Sequence, residues 1–147
     1  MARDEKRILV VDDDAAIRSL LFTILRRRGL VVDTARNGAE ALEKLRRCTY
    51  ALMLLDLMMP VASGWEVLER LAGMDSNRRP VVIVLTAGTE PRGVNPEFVV
   101  GSIRKPFDVQ LLHDMVDGCL SAVAPRPQVR DCPASESEEK PQPGKQN

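Results

Sequence analysis

Ala51–Pro60, ALMLLDLMMP, is an apolar run with a single acid, Asp56, in its middle. Burying an unpartnered carboxylate is costly, so the run reads as a strand over 51–55 that ends by presenting the acid at its tip. Ile8–Val11 behaves in the same way. It is a short β-branched and leucine run with charge on both sides, followed directly by Asp12, Asp13 and Asp14. That is the pattern of a strand buried on both faces. The fold therefore has two acid-tipped strand ends to place.

Outward from these runs the chain alternates. Ile17, Leu20, Leu21, Ile24, Leu25 and Arg28 keep helical spacing, with Gly29 where a C-cap belongs. Leu30–Thr34 reads as a second strand. Asn37 with Glu40 forms an N-cap pair before a helix carrying Leu42 and Leu45 and ending near Cys48. After the Asp56 strand, Ser63-Gly64-Trp65-Glu66 is a capping box for a helix predicted to turn Trp65, Leu68 and Leu71 inward. Val81–Leu85 is a strand stopping at Thr86-Ala87-Gly88. Pro91 and Pro96 then make the fourth helix short or irregular, since an interior proline costs about 3 kcal/mol. Asn95, Pro96 and Glu97 can open one helical turn at most. Ser102–Lys105 is a brief last strand, and Asp108 caps a final helix built on Leu112, Met115, Val116, Cys119, Leu120 and Val123. Strict alternation predicts an α/β fold, a doubly wound five-stranded parallel sheet with right-handed crossovers. The domain is expected over 5–123. Residues 124–147, rich in Pro, Ser, Glu and Gln, are expected to be a disordered tail.

Composition narrows the partners. The chain has 147 residues, of which 44% are hydrophobic, enough for one core. Lys plus Arg (21) balances Asp plus Glu (21), which gives no field for nucleic acid or an anionic membrane. No apolar stretch is long enough for secretion or spanning, so a cytoplasmic protein is expected. Cys48, Cys119 and Cys132 lack metal or redox spacing and read as the thiols of a reducing compartment.

In an open parallel sheet, ligands bind beyond the carboxyl ends of the strands. Asp12, Asp13, Asp56, Thr86 and Lys105 all fall at that edge. Two like charges ~4 Å apart repel by roughly 4 kcal/mol at an effective dielectric of 20, so the acids need a cation to stay ionised together. Oxygen donors of this kind suit Mg²⁺. With Mg²⁺ and the Lys105 ammonium on either side, Asp56 can attack a phosphoryl group while Thr86 offers a hydroxyl to one of its oxygens. Three acids in place of a glycine-rich loop disfavour a bare nucleotide site. Asp14 reads as the N-cap of the first helix, His113 as an exposed helix residue and Trp65 as packing.

Through ILVVDDD, LLDLMMP, VLTA and RKPF, in that order, the chain resembles the receiver domains of bacterial two-component response regulators, the CheY-like fold. The resemblance implies the flavodoxin-like strand order 2-1-3-4-5. It also implies that Asp56 is phosphorylated from the phosphohistidine of a histidine kinase or phosphotransfer protein. Mg²⁺ would be held by Asp13, Asp56 and the main-chain carbonyl of Met58, with Asp12 acting partly through water. Thr86 and Lys105 would contact the phosphoryl group, small Ala87 would leave it room, and Lys105-Pro106 would be cis. The family's switch aromatic stands three residues before the lysine; here that position is Ser102. The expected protein is a single-domain regulator that binds an unknown downstream protein or serves as a phosphorelay intermediate, with Thr86 and Ser102 at the switch. Two rivals are a pseudo-receiver that signals by binding alone and a small-molecule phosphatase working through an aspartyl-phosphate. In haloacid-dehalogenase-type enzymes the nucleophile is followed by a second acid two residues on and then a threonine; here Asp12 is followed by Asp14 but then Ala15 and Ala16, and a cap domain is missing. Met58 and Gly88 offer no polar side chain to orient water, so a long-lived phosphoryl group is expected.

Overall fold

The computed structural model describes residues 4–60, 62–88, 91–129 and 132–133. Five parallel strands form one sheet: β2 (Arg7–Val11), β3 (Val31–Ala35), β4 (Leu52–Asp56), β5 (Val81–Thr86) and β6 (Val99–Arg104). Their order is β3-β2-β4-β5-β6, which is 2-1-3-4-5 when these five are counted alone. A two-residue strand, β1 (Asp4–Glu5), precedes them and pairs antiparallel with β7 (Arg126–Pro127) outside the sheet.

Strand alternation divides the core in two, because successive side chains point to opposite faces. Ile8, Val10, Leu52, Leu54, Ile83 and Leu85 face the layer of α1 (Ala15–Arg27) and α4 (Val109–Ala122), meeting Leu21, Leu25, Leu112 and Val116. Leu9, Val11, Met53, Leu55, Val82 and Val84 face α2 (Gly38–Arg47) and α3 (Gly64–Ala72), meeting Ala41, Leu45, Val67 and Leu71. β2 and β4 are buried along their whole length, which is why both read as continuous apolar runs.

The helix starts follow their caps. Asp14 accepts from the Ala16 and Ile17 amides, Asn37 from Glu40, Ser63 from Glu66 and Asp108 from Gln110 and Leu111. Gly29 takes a φ of +80° just beyond α1, a conformation glycine adopts without strain. The described residues between β5 and β6 hold no α-helix. They contain one turn, in which Phe98 N and Val99 N donate to Asn95 O. The last strand begins at Val99, earlier than the sequence suggests. A register shift leaves Val100 as an extra residue, with Val82 opposite Val99 and Ile83 opposite Gly101.

Four expectations are corrected. Trp65 is half-exposed, and the inward row of α3 is Val67, Leu68 and Leu71. His113 is partly buried, with its Nε2 covered and without a hydrogen bond. The tail does not leave the domain at 124: Arg126–Pro127 pairs with Asp4–Glu5, and Gln128 is buried. Residues 134–147 of the expected tail lie outside the described residues. Lastly, Cys48 and Cys132 are not thiols but are joined by a disulfide across 84 residues, leaving Cys119 free. No sequence spacing could reveal that pairing, because it depends on the tail returning to the end of α2.

Candidate functional site

Asp56 is the last residue of β4 and only 5% exposed. The chain reverses there so that Met58 N donates to Asp56 Oδ1 at 2.9 Å. A Cβ on Gly64 would come within 2.5 Å of Asp56 O, so the start of α3 can press against the strand end only with glycine at this position. Asp12 follows β2 and is fully buried. Its Oδ1 accepts from Asp14 N at 2.9 Å, and its carbonyl accepts from Arg18 Nη1 at 2.7 Å. Asp13 beside it is exposed. The carboxylates of Asp12, Asp13 and Asp56 offer oxygens all within 4.8 Å of one another.

Lys105, just beyond β6, is held by its amide donating to Thr86 O at 2.7 Å and by the cis Lys105-Pro106 bond that follows. Its Nζ lies 2.8 Å from Asp12 Oδ2 and 3.3 Å from Asp56 Oδ2. The contact to Asp12 is the shorter of the two and joins the ammonium to a fully buried carboxylate. Thr86 ends β5 one residue beyond the partner of Asp56, Leu85, and so stands at the same edge. Met58 turns its side chain to solvent, 75% exposed. Ser102 is not part of this cluster. It lines a cavity of about 350 Å³ with Val84, Pro91, Val94, Val99, Gly101 and Met115. Arg18 was not legible as a site residue, since an arginine one turn into an amphipathic helix carries no signal of its own.

The electrostatics are unbalanced. Three carboxylates meet one ammonium, a formal deficit of positive charge. Burial pushes the Asp56 carboxyl up to about 6; the Met58 amide opposes this, Asp12 adds to it, and Lys105 opposes it again. Burial would lower the Lys105 ammonium, but Asp12 and Asp56 outweigh that and raise it. An all-oxygen donor set and three carboxylates against one ammonium fit a hard divalent cation.

The raised pKa has a testable consequence for stability. A carboxyl whose folded pKa lies above its unfolded value of about 3.9 destabilises the fold when ionised, and this penalty disappears at pH below both values. Asp56→Asn should therefore stabilise the protein in EDTA at pH 7.5, by of order 1 kcal/mol after screening and loss of the Lys105 contact. At pH 3.5 the gain should vanish, as measured by urea unfolding at the two pH values.

A doubly wound parallel sheet with an acid cluster at its carboxyl edge, faced by one lysine just before a cis proline, defines a class of α/β domain whose chemistry lies at that edge. The comparisons specify it. The profile of the response regulator receiver domain family matches residues 8–117, and the chain belongs to that family. It is 40% identical over 107 residues to the transcriptional regulatory protein ResD of Bacillus subtilis, covering 71% of this chain and 43% of ResD. The chain thus spans under half of that relative's length. Against sporulation initiation phosphotransferase F of Bacillus subtilis it is 34% identical over 114 residues, 76% of this chain and 90% of that protein. Among solved structures, Thermotoga maritima response regulator TrrA in complex with Mg²⁺-BeF superposes with a TM-score of 0.69 at 36% identity, covering 78% of this chain and 98% of TrrA. Receiver domains of two-component systems accept phosphoryl groups from histidine kinases or phosphotransfer proteins. The described residues hold no helix long and apolar enough to cross a membrane.

Proposed function

We propose that the chain works as a response regulator receiver phosphorylated on Asp56 in the cytoplasm. The observation that carries this reading is the pairing of Asp56 with Lys105 inside the Asp12–Asp13–Asp56 cluster. Mg²⁺, held by Asp13, Asp56 and the Met58 carbonyl with Asp12 behind it, would supply positive charge at the phosphoryl oxygens. The Asp56 carboxylate attacks phosphorus, the bond from phosphorus to the donor imidazole breaks, and the imidazole leaves with the electron pair. Lys105 neutralises charge on the phosphoryl oxygens, and the Thr86 hydroxyl takes one of them. The acyl phosphate carries about −1.5 to −2 charge at the end of β4 where the carboxylate carried a single negative charge, which biases the loop after β5 and alters a surface read by a downstream protein.

With labelled acetyl phosphate and Mg²⁺, the wild-type protein should take up phosphate while Asp56→Ala and EDTA-treated samples do not. Equal labelling of wild type and Asp56→Ala would overturn the reading. A second expected result concerns lifetime. Met58→Asn, by placing an amide able to orient water, should speed loss of the label severalfold; an unchanged decay rate would count against the role given to Met58.

A pseudo-receiver is favoured by one observation: Ser102 and the cavity beside it stand where the family's switch aromatic would be. Partner capture with and without Mg²⁺ and beryllofluoride separates the two readings, since a pseudo-receiver binds equally in both. We place the domain boundary beyond 123, because residues 126–128 pack on the fold.

A further inference from the structure

The far end of the sheet carries a second chemical site. There the segment after α4 crosses the amino-terminal ends of the strands. Arg126–Pro127 pairs with Asp4–Glu5. Arg126 Nη1 donates to Arg79 O at 2.6 Å, just before β5. The Gln128 amide accepts from Thr49 N at 2.6 Å and donates to Thr49 O at 3.0 Å and Glu5 Oε1 at 2.9 Å. Arg7 Nη2 donates to Pro133 O at 2.8 Å. Val129 packs on the apolar cluster that contains Leu45, Tyr50 and Cys132. One covalent bond fastens this strap: Cys132 is joined to Cys48, the residue that ends α2, and both are buried.

Disulfides in reducing compartments, where a histidine-kinase partner would act, are usually transient and redox-sensing. Most of the strap's other ties are hydrogen bonds that water can replace at modest cost once the segment lifts. The phosphorylation chemistry makes no use of this disulfide.

We propose that Cys48 and Cys132 form a redox-modification site whose disulfide latches the strap over the amino-terminal end of the sheet, and that a dithiol reductant of the thioredoxin type opens it. A reductant thiolate attacks one sulfur and forms a mixed disulfide, and the other cysteine leaves as a thiolate. The second reductant thiol then displaces the first cysteine. The cysteines gain two electrons and two protons in total, and the reductant becomes a disulfide. Burial of both sulfurs makes access depend on lifting of the strap, so opening and reduction are linked. Released, the strap uncovers the apolar cluster around Tyr50 and withdraws Gln128 from Thr49.

The inference rests on the proposed function only for its compartment, and its test does not read phosphorylation. The full chain is equilibrated in glutathione buffers from oxidising to cytosolic poise, free thiols are trapped, and limited proteolysis by a glutamate-specific protease at Glu5, which pairs with Arg126 of the strap, is timed. The latch predicts a Cys48–Cys132 bond that forms in oxidising buffer and opens within the cytosolic range. It also predicts cleavage at least about tenfold faster in the reduced protein and in Cys48→Ser than in the oxidised protein. A bond that never forms, a bond that resists reduction throughout, or equal cleavage of oxidised and reduced protein would overturn it. Labelling of Asp56 by acetyl phosphate, run in parallel, should be unchanged in Cys48→Ser. Failed labelling in wild type with normal latch behaviour would count against the phosphoacceptor reading and leave the latch supported.

Discussion

Lys105→Met should slow phosphorylation of Asp56 by at least about 100-fold, comparable to the loss of one preorganised donor facing developing charge. Nζ stands 2.8 Å from Asp12 Oδ2 and 3.3 Å from Asp56 Oδ2, so it meets any phosphoryl group that joins Asp56 without further reorganisation. Methionine keeps the length of the stem and removes only the charge. Initial rates with acetyl phosphate at saturating Mg²⁺ give the measurement, with Lys105→Arg as a second variant that keeps the charge in a different shape. A rate within threefold of wild type would show that Lys105 only pairs with the acids and does not assist transfer.

The other large effect is on stability. Arg7 opens β2 and is 1% exposed. Its Nε donates to Asp33 Oδ2 at 2.8 Å, its Nη1 to Glu5 Oε1 at 2.9 Å, and Tyr50 Oη donates to Asp33 Oδ2 at 2.6 Å. Removing one partner of a buried pair leaves the other charge uncompensated, so Arg7→Met should cost about 3–5 kcal/mol. The double variant Arg7→Met/Asp33→Leu should recover most of that loss, because an apolar replacement of both partners leaves no buried charge. Urea unfolding of the two single variants and the double variant measures the coupling. Additive losses would mean that Arg7 acts through its packing and its bonds to Glu5 and Pro133 O rather than through Asp33.

What the sequence revealed, and what it concealed, divides by range. β2 and β4 were legible because strands buried on both faces are continuous apolar runs, and their acid tips were legible because a charge ending such a run needs a purpose. Caps at Asp14, Asn37, Ser63 and Asp108 are local and were readable for the same reason. Trp65 misled because helical spacing marks a stripe, and a residue at the stripe's border can fall on either side. Val99 and Val100 were missed as strand because neighbouring Pro96 and Gly101 read as breakers, while the extra residue at Val100 hides the pairing. Nothing local marked the strap. Gln128 looks like any tail glutamine, and its hold on the domain comes from long-range bonds to Thr49 and Glu5, with Cys132 joined to Cys48 beyond it.

The account turns on which carboxylate takes the phosphoryl group. Borohydride converts an acyl phosphate to an alcohol, so peptide mapping after acetyl phosphate, Mg²⁺ and borohydride marks the acceptor directly. The account predicts a single reduced residue, at position 56, that is missing in EDTA. Reduction at Asp12 or Asp13, or a labelled protein with Asp56 untouched, would contradict it.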